Sequence, residues 1–117
     1  MTEYIRVMVE EVDMADPRRE RPPSLGELRS RRDAILEIAR RHGVLDIRVF
    51  GSVARGDADS DSDVDLLVEL ESGRSLFDLG GFLMDLRDFF GGPVDVVTSA
   101  ALRDRVRTRV MHEAVPL

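Results

Sequence analysis

The chain has no cysteine and no lysine. Without cysteine there can be neither a disulfide framework nor a thiolate metal site. All 17 basic side chains are arginine. No ammonium group can therefore clamp a phosphate or act as a nucleophile, and any side-chain clamp must be the planar fork of an arginine. No apolar run approaches the roughly 20 residues needed to cross a bilayer. The opening stretch MTEYIRVMVEEVD places acids where a secretory leader carries a basic region and a long apolar core. A cytoplasmic protein with no membrane partner is expected. The net charge of −6 argues against a broad electrostatic grip on nucleic acid, so no direct nucleic-acid partner is expected, although a local basic face stays open.

What is present fits one compact unit. A length of 117 residues, with 43% hydrophobic and 34% charged side chains, allows one domain around one modest core. Residues 1–23 read as an N-terminal extension. Ile5, Val7 and Val9 alternate like a strand, and the segment from Asp16 to Pro23 combines three prolines with dense charge, as a linker does. The domain proper is expected over residues 24–117. Ser24 and Glu27 make a capping-box pair that opens a helix to about Arg41, with Leu28, Ile35, Ile38 and Ala39 on its buried side and Gly43 ending it.

Leu45 to Phe50 alternates as a strand with Leu45, Ile47 and Val49 on one face, and Val53 to Arg55 is a short helical piece stopped by Gly56. A second strand is expected from Val64 to Leu70, with Val64, Leu66, Val68 and Leu70 on one face and Asp63, Asp65, Leu67 and Glu69 on the other. Ser75 starts a long helix whose stripe Leu76, Leu79, Leu83, Leu86 and Phe90 has helical spacing. Gly80-Gly81 inside it lowers helix propensity, which predicts close packing against a neighbour. After Gly91-Gly92-Pro93, Val94 to Thr98 is a third strand. Thr98 or Ser99 then caps a last helix carrying Leu102, Val106 and Val110. The order predicts an α/β domain with a small mixed sheet flanked by helices.

Two features point to chemistry. The turn Phe50-Gly51-Ser52 at a strand end lets backbone approach a ligand closely, and the following helical turn offers free N–H groups and a hydroxyl suited to phosphate. A plain tight turn would look the same, because small polar residues dominate turns. The second feature is Asp63-Val64-Asp65 at the head of an apolar strand. Residues two apart on a strand point the same way, with Cα atoms about 6.6 Å apart, so both carboxylates can share a hard cation. A solvated acidic rim is the alternative, and Asp57, Asp59 and Asp61 fit that description. Asp95, inside Val94-Asp95-Val96-Val97, either pairs with an arginine such as Arg48 or Arg103 or completes a carboxylate set from a neighbouring strand. Three carboxylates beside a phosphate-binding turn suit two-metal chemistry.

Gly51-Ser52, ten residues, then Asp63-Val64-Asp65 matches the Gly-Ser-x10-Asp-x-Asp signature of the DNA polymerase β-like nucleotidyltransferase superfamily. Its context, from Phe50 to Gly56 and from Ser62 to Val68, resembles the minimal branch of that superfamily. So do Ser75-Leu76-Phe77-Asp78-Leu79, Val94-Asp95-Val96-Val97-Thr98 and Arg109-Val110-Met111-His112-Glu113-Ala114-Val115. The resemblance runs from about Leu28 to the end of the chain and leaves Met1 to Pro23 unaccounted for.

The resemblance implies a polymerase β-like palm and two Mg²⁺ ions, with ATP as substrate and AMP transferred to a hydroxyl. Gly51 and Ser52 would hold the β- and γ-phosphates, Asp63 and Asp65 would bind both metals, and Asp95 would complete the catalytic and metal site. Minimal members resemble antitoxins paired with a cognate HEPN-domain ribonuclease toxin, silenced by AMP on a tyrosine. Homo- or hetero-oligomers both stay open. A non-catalytic antitoxin that neutralises by binding, and an enzyme modifying a small molecule, are the competing readings.

Other residues carry less. Arg55, just past the turn, could contact ATP or brace the acidic loop. His42 and His112 read as solvated cations near helix ends. Arg103, Arg105, Arg107 and Arg109 make two i, i+4 pairs, either a solvated face or a docking surface for an acidic partner.

Overall fold

The computed structural model describes residues 22–117, and the strand-like pattern and most of the linker expected before them lie outside the described residues. Helices α1 (Leu25–Ser30) and α2 (Arg32–Arg41) lead into strand β1 (Val44–Phe50) and the short helix α3 (Gly51–Arg55). Strand β2 (Val64–Leu70), helix α4 (Leu76–Phe90) and strand β3 (Val94–Thr98) follow. A 3₁₀ turn (Ser99–Ala101), helix α5 (Asp104–Glu113) and a two-residue strand β4 (Val115–Pro116) close the chain. The sheet runs β3-β2-β1-β4, with β1 antiparallel to both β2 and β4 and β2 parallel to β3. This is the expected α/β domain with a small mixed sheet. No helix among the described residues is long and apolar enough to cross a membrane.

The first expected helix is two. Ser24 and Glu27 form the full capping box, but Arg31 leaves helical geometry (φ −108°, ψ 16°) and separates α1 from α2. The apolar face survives the break, for Leu28, Ile35, Ile38 and Ala39 are all buried. They join Val44, Ile47, Val49, Val64, Leu66, Val68, Phe82 and Leu86 in one core.

Several expectations are corrected. Leu45 is 68% exposed while Val44 is buried, because the β1/β2 register slips between Val44 and Asp46 and the extra residue is turned out. In α4 the deepest side chains are Phe82 and Leu86, whereas Leu76, at the first turn, is 81% exposed. Ser75 and Asp78 still make a full capping box, and Gly91 ends the helix in the left-handed region (φ 72°). The last helix starts at Asp104 rather than Ser99, and Val106 is exposed. Arg107 spends its guanidinium on the carbonyls of Ser99 (3.0 Å) and Leu102 (3.0 Å), holding the 3₁₀ turn against α5, and so does not belong to a solvated arginine face.

The expected close packing at the glycine pair occurs at Gly81, where an added Cβ would lie 2.9 Å from the His42 ring. His42 is accordingly not a solvated cation. It packs beside Phe82 with ring centroids 6.4 Å apart and reaches Asp85 at 2.7 Å. His112 is exposed, as expected.

Candidate active site

The site is built where three strands present their ends on one side of the sheet. Phe50 of β1 pairs across with Asp65 of β2, and Asp65 pairs with Asp95 of β3. Asp65 is therefore the middle of a row, with the Gly51 turn on one flank and a second carboxylate on the other. Asp63 lies two residues before it, just outside the strand, and the Val64 N–H donates to Pro93 O (3.3 Å), fixing the head of β2 to the start of β3. The three aspartates expected to share chemistry are brought to one corner. The alternation that puts Val64, Leu66 and Val68 into the core is what turns Asp65 to the opposite face.

Burial and like charge act on Asp65 together. Partial burial pushes its carboxyl up to about 6, helped by the charges of Asp95, Asp63 and Glu113 and opposed by Arg55. Asp95 is exposed, so its place in an apolar strand is no anomaly: that face of β3 is open. Among the described residues neither Arg48 nor Arg103 pairs with it, and Arg48 instead faces Asp46 at 3.4 Å.

The turn itself has two restraints. Phe50 is extended and Gly51 sits at φ 72°, a conformation L side chains rarely adopt. A Cβ added at Gly51 would collide with Oδ2 of Asp65, so the carboxylate occupies the space a side chain would need. On the other side the Gly51 N–H donates to Glu113 Oε1 at 2.8 Å. That bond, then the ion pair with Arg55, holds the Glu113 carboxyl below its usual range. Arg55 donates from Nη1 to Glu113 Oε2 (2.9 Å) and from Nε to Asp57 Oδ2 (3.3 Å), so it does brace the acidic loop. Among the described residues the Ser52 hydroxyl has no hydrogen-bond partner. In the loop, Asp59 accepts from the Asp61 N–H (2.9 Å) and the Ser62 hydroxyl (3.2 Å), a structural role rather than a ligand's.

Glu113 is the residue that sequence reasoning missed. It lies within the segment Arg109 to Val115 that carries part of the resemblance, but nothing local assigns it a partner, and its partners lie 62 and 58 residues away.

The donor set suits a hard divalent cation. It consists of carboxylate oxygens whose mutual repulsion a cation would relieve, beside a glycine turn that leaves room for a ligand. Among the described residues no three such side chains close on one point by themselves. Mg²⁺ commonly takes one or two carboxylates plus substrate phosphates, which such an open arrangement accommodates.

A model of the nucleotidyltransferase domain matches residues 32–117. The protein adenylyltransferase MntA of Thermococcus cleftensis is 39% identical over 79 residues, covering 68% of this chain and 80% of the relative. A Methanocaldococcus jannaschii protein, provisionally named a protein adenylyltransferase, is 38% identical over 81 residues, covering 69% and 87%. A solved chain provisionally described as a minimal nucleotidyltransferase superposes with a TM-score of 0.72 at 47% identity, over 81% of this chain and 97% of that one. A toxin–antitoxin structure with AMP-PNP shares the fold at a TM-score of 0.61 and 19% identity, over 72% and 69% of the two chains.

Proposed function

The chain belongs to the nucleotidyltransferase domain family, and from that premise we propose that it transfers AMP from Mg²⁺-ATP to a hydroxyl of a partner protein. The observation that carries this reading is the row Phe50–Asp65–Asp95, which sets two carboxylates in register beside the Gly51 turn. Bound Mg²⁺ supplies charge neutralisation for the triphosphate and for the attacking and leaving oxygens. Asp63 and Asp65 hold the metal, and Asp95 completes the set from β3. Gly51 and Ser52 receive the β- and γ-phosphates through backbone N–H groups and the unpartnered hydroxyl, with Arg55 as the side-chain clamp. The acceptor oxygen bonds to the α-phosphorus, the bond from that phosphorus to the α,β-bridging oxygen breaks, and pyrophosphate leaves. The acceptor's proton passes to a carboxylate of the trio.

The acceptor we assign is a tyrosine of a cognate HEPN-domain ribonuclease toxin, which makes the chain the antitoxin of the pair. Support comes from two relatives, 38% and 39% identical, that carry protein adenylyltransferase names. A cytoplasmic location and a folded unit beginning near Ser24 belong to the same proposal.

The test is to incubate the protein with ATP labelled in the α-phosphate, Mg²⁺ and a candidate cognate HEPN-domain toxin. Label should enter the partner and be lost when its acceptor tyrosine is replaced by phenylalanine. Label that persists with Asp63→Ala and Asp65→Ala variants would sink the mechanism. Toxin neutralisation that survives in the double aspartate variant would favour neutralisation by binding alone.

A further inference from the structure

We propose that Glu113 is a positioning residue of the nucleotide site, holding the Gly51 turn and the Arg55 guanidinium in a single arrangement. The inference rests on reading that turn as the resting place of the triphosphate. One carboxylate spans both ends of α3. Oε1 accepts from the N–H of its first residue, Gly51, at 2.8 Å, and Oε2 accepts from Nη1 of its last, Arg55, at 2.9 Å. A five-residue helix has almost no intrinsic stability, so an external brace decides where it sits.

The brace is itself fixed. The Ala114 N–H donates to Val110 O (2.8 Å) at the end of α5, and Val115 and Pro116 then pair with Val49 and Arg48 of β1. The Leu117 N–H reaches Ile47 O (3.3 Å) and its side chain is buried, while Arg29 Nη2 donates to Pro116 O (2.7 Å). Glu113 is thus pinned on the helix side and the strand side, and only rotation of its own side chain could withdraw the carboxylate.

The turn it holds is restrained independently from the opposite flank, where Asp65 fills the space above Gly51. Arg55 has Nε on Asp57 and Nη1 on Glu113, which leaves Nη2 without a partner among the described residues. A guanidinium fixed along two nitrogens loses little further freedom when the third meets a phosphate oxygen, and such preorganisation favours binding.

The opposite role is conceivable from the same contacts. A carboxylate on an N–H and a guanidinium could be a stand-in anion that the triphosphate must displace, and the two roles give opposite results. We would measure the affinity for Mg²⁺ with a non-hydrolysable ATP analogue by calorimetry, and AMP transfer to the partner, for wild type, Glu113→Ala, Glu113→Gln, Arg55→Gln and the double variant of Arg55→Gln with Glu113→Gln. Positioning requires about tenfold weaker binding in Glu113→Ala, seen as a raised KM with kcat nearly unchanged. Glu113→Gln, whose amide oxygen can still accept from Gly51, should recover part of that loss. Adding Glu113→Gln to Arg55→Gln should cost less than Glu113→Gln costs alone, because the residue acts in part through Arg55. Unchanged or tighter binding in either Glu113 variant overturns the inference. If Glu113→Ala does not fold, the Gln variant, which keeps the side chain's shape, decides alone. A wild type that binds no nucleotide refutes the reading of the site itself, a result distinct from all of these.

Discussion

Two clusters of acids lie at opposite ends of β2, and they differ in what surrounds them. Past its C-terminal end, Arg74 reaches Glu71 at 2.9 Å and Asp78 at 3.1 Å, and the Ser75 N–H donates to Asp78 at 2.9 Å. The Ser75 N–H, then Arg74, hold the Asp78 carboxyl below its ordinary value of 3.8. At the head of the strand Asp63, Asp65 and Asp95 have no ion pair among the described residues, and burial with like charge pushes Asp65 up to about 6. The first cluster is complete as it stands and serves to start α4. In the second, burial and neighbouring charge disfavour the ionised form of Asp65, the pattern that makes an acid a candidate for function rather than for structure alone. Arg55, whose charge opposes the shift of Asp65, is committed to Glu113 and Asp57 and does not settle the site.

The contrast can be broken most forcefully at Asp65. Asp65→Asn should lower AMP transfer on the order of 10³-fold, as loss of preorganised charge at a reacting phosphate does. The same change should raise the melting temperature of the metal-free protein, because it removes a carboxylate whose ionisation the fold opposes. A melting temperature that falls would mean Asp65 has a stabilising partner after all.

Gly51→Ala should come next, with about 10²-fold loss of transfer and roughly 1–3 kcal/mol of destabilisation, from backbone strain at positive φ and the collision with the Asp65 carboxylate. Ser75→Ala, at the structural cluster, should cost only about 1 kcal/mol through the lost cap and leave transfer per folded molecule unchanged. A fall in specific activity there would erase the distinction between the two clusters.

Acidity separates them with the smallest effect. Between pH 3.8 and about 6 the folded chain holds a proton on Asp65 that the unfolded chain has released, so this carboxylate's contribution to stability falls as pH rises through that window. Asp78 has the opposite sign: its contribution is present above 3.8 and is lost only as pH drops through its lowered folded value. Thermal melts of metal-free wild type should therefore improve from neutral pH down to about 4.5 relative to Asp65→Asn. Equal slopes in the two proteins would show that Asp65 titrates normally.

Much of this was legible in the sequence, for local reasons. The Ser24–Glu27 capping box needs only residues three apart, and it formed. The alternation of β2 is a local property too, and it correctly separated Val64, Leu66 and Val68 from Asp65. What escaped depends on partners distant in the chain. Leu45 alternates properly with Ile47 and Val49, and only the slip against Leu70 and Glu69 turns it outward. Leu76 has helical spacing to Leu79 and Leu83, yet the first turn of α4 extends past the core. Glu113 acts across 62 residues on a backbone N–H, and β4, which anchors it, is two residues long, below any periodic signal. The juxtaposition of Asp65 with Asp95 was readable because strand spacing and an in-register neighbour suffice for it, whereas the brace on the Gly51 turn joins residues far apart in the chain.

The most direct measurement is a pH titration of the Asp65 carboxyl carbon by NMR, first in metal-free protein and then with Mg²⁺ and a non-hydrolysable ATP analogue. The midpoint should lie near 6 without ligand and fall well below 3.8 when the metal and triphosphate are present. A midpoint that starts near 3.8, or one that stays where it was when Mg²⁺ and nucleotide are added, would contradict the assignment of these carboxylates as the metal–nucleotide site.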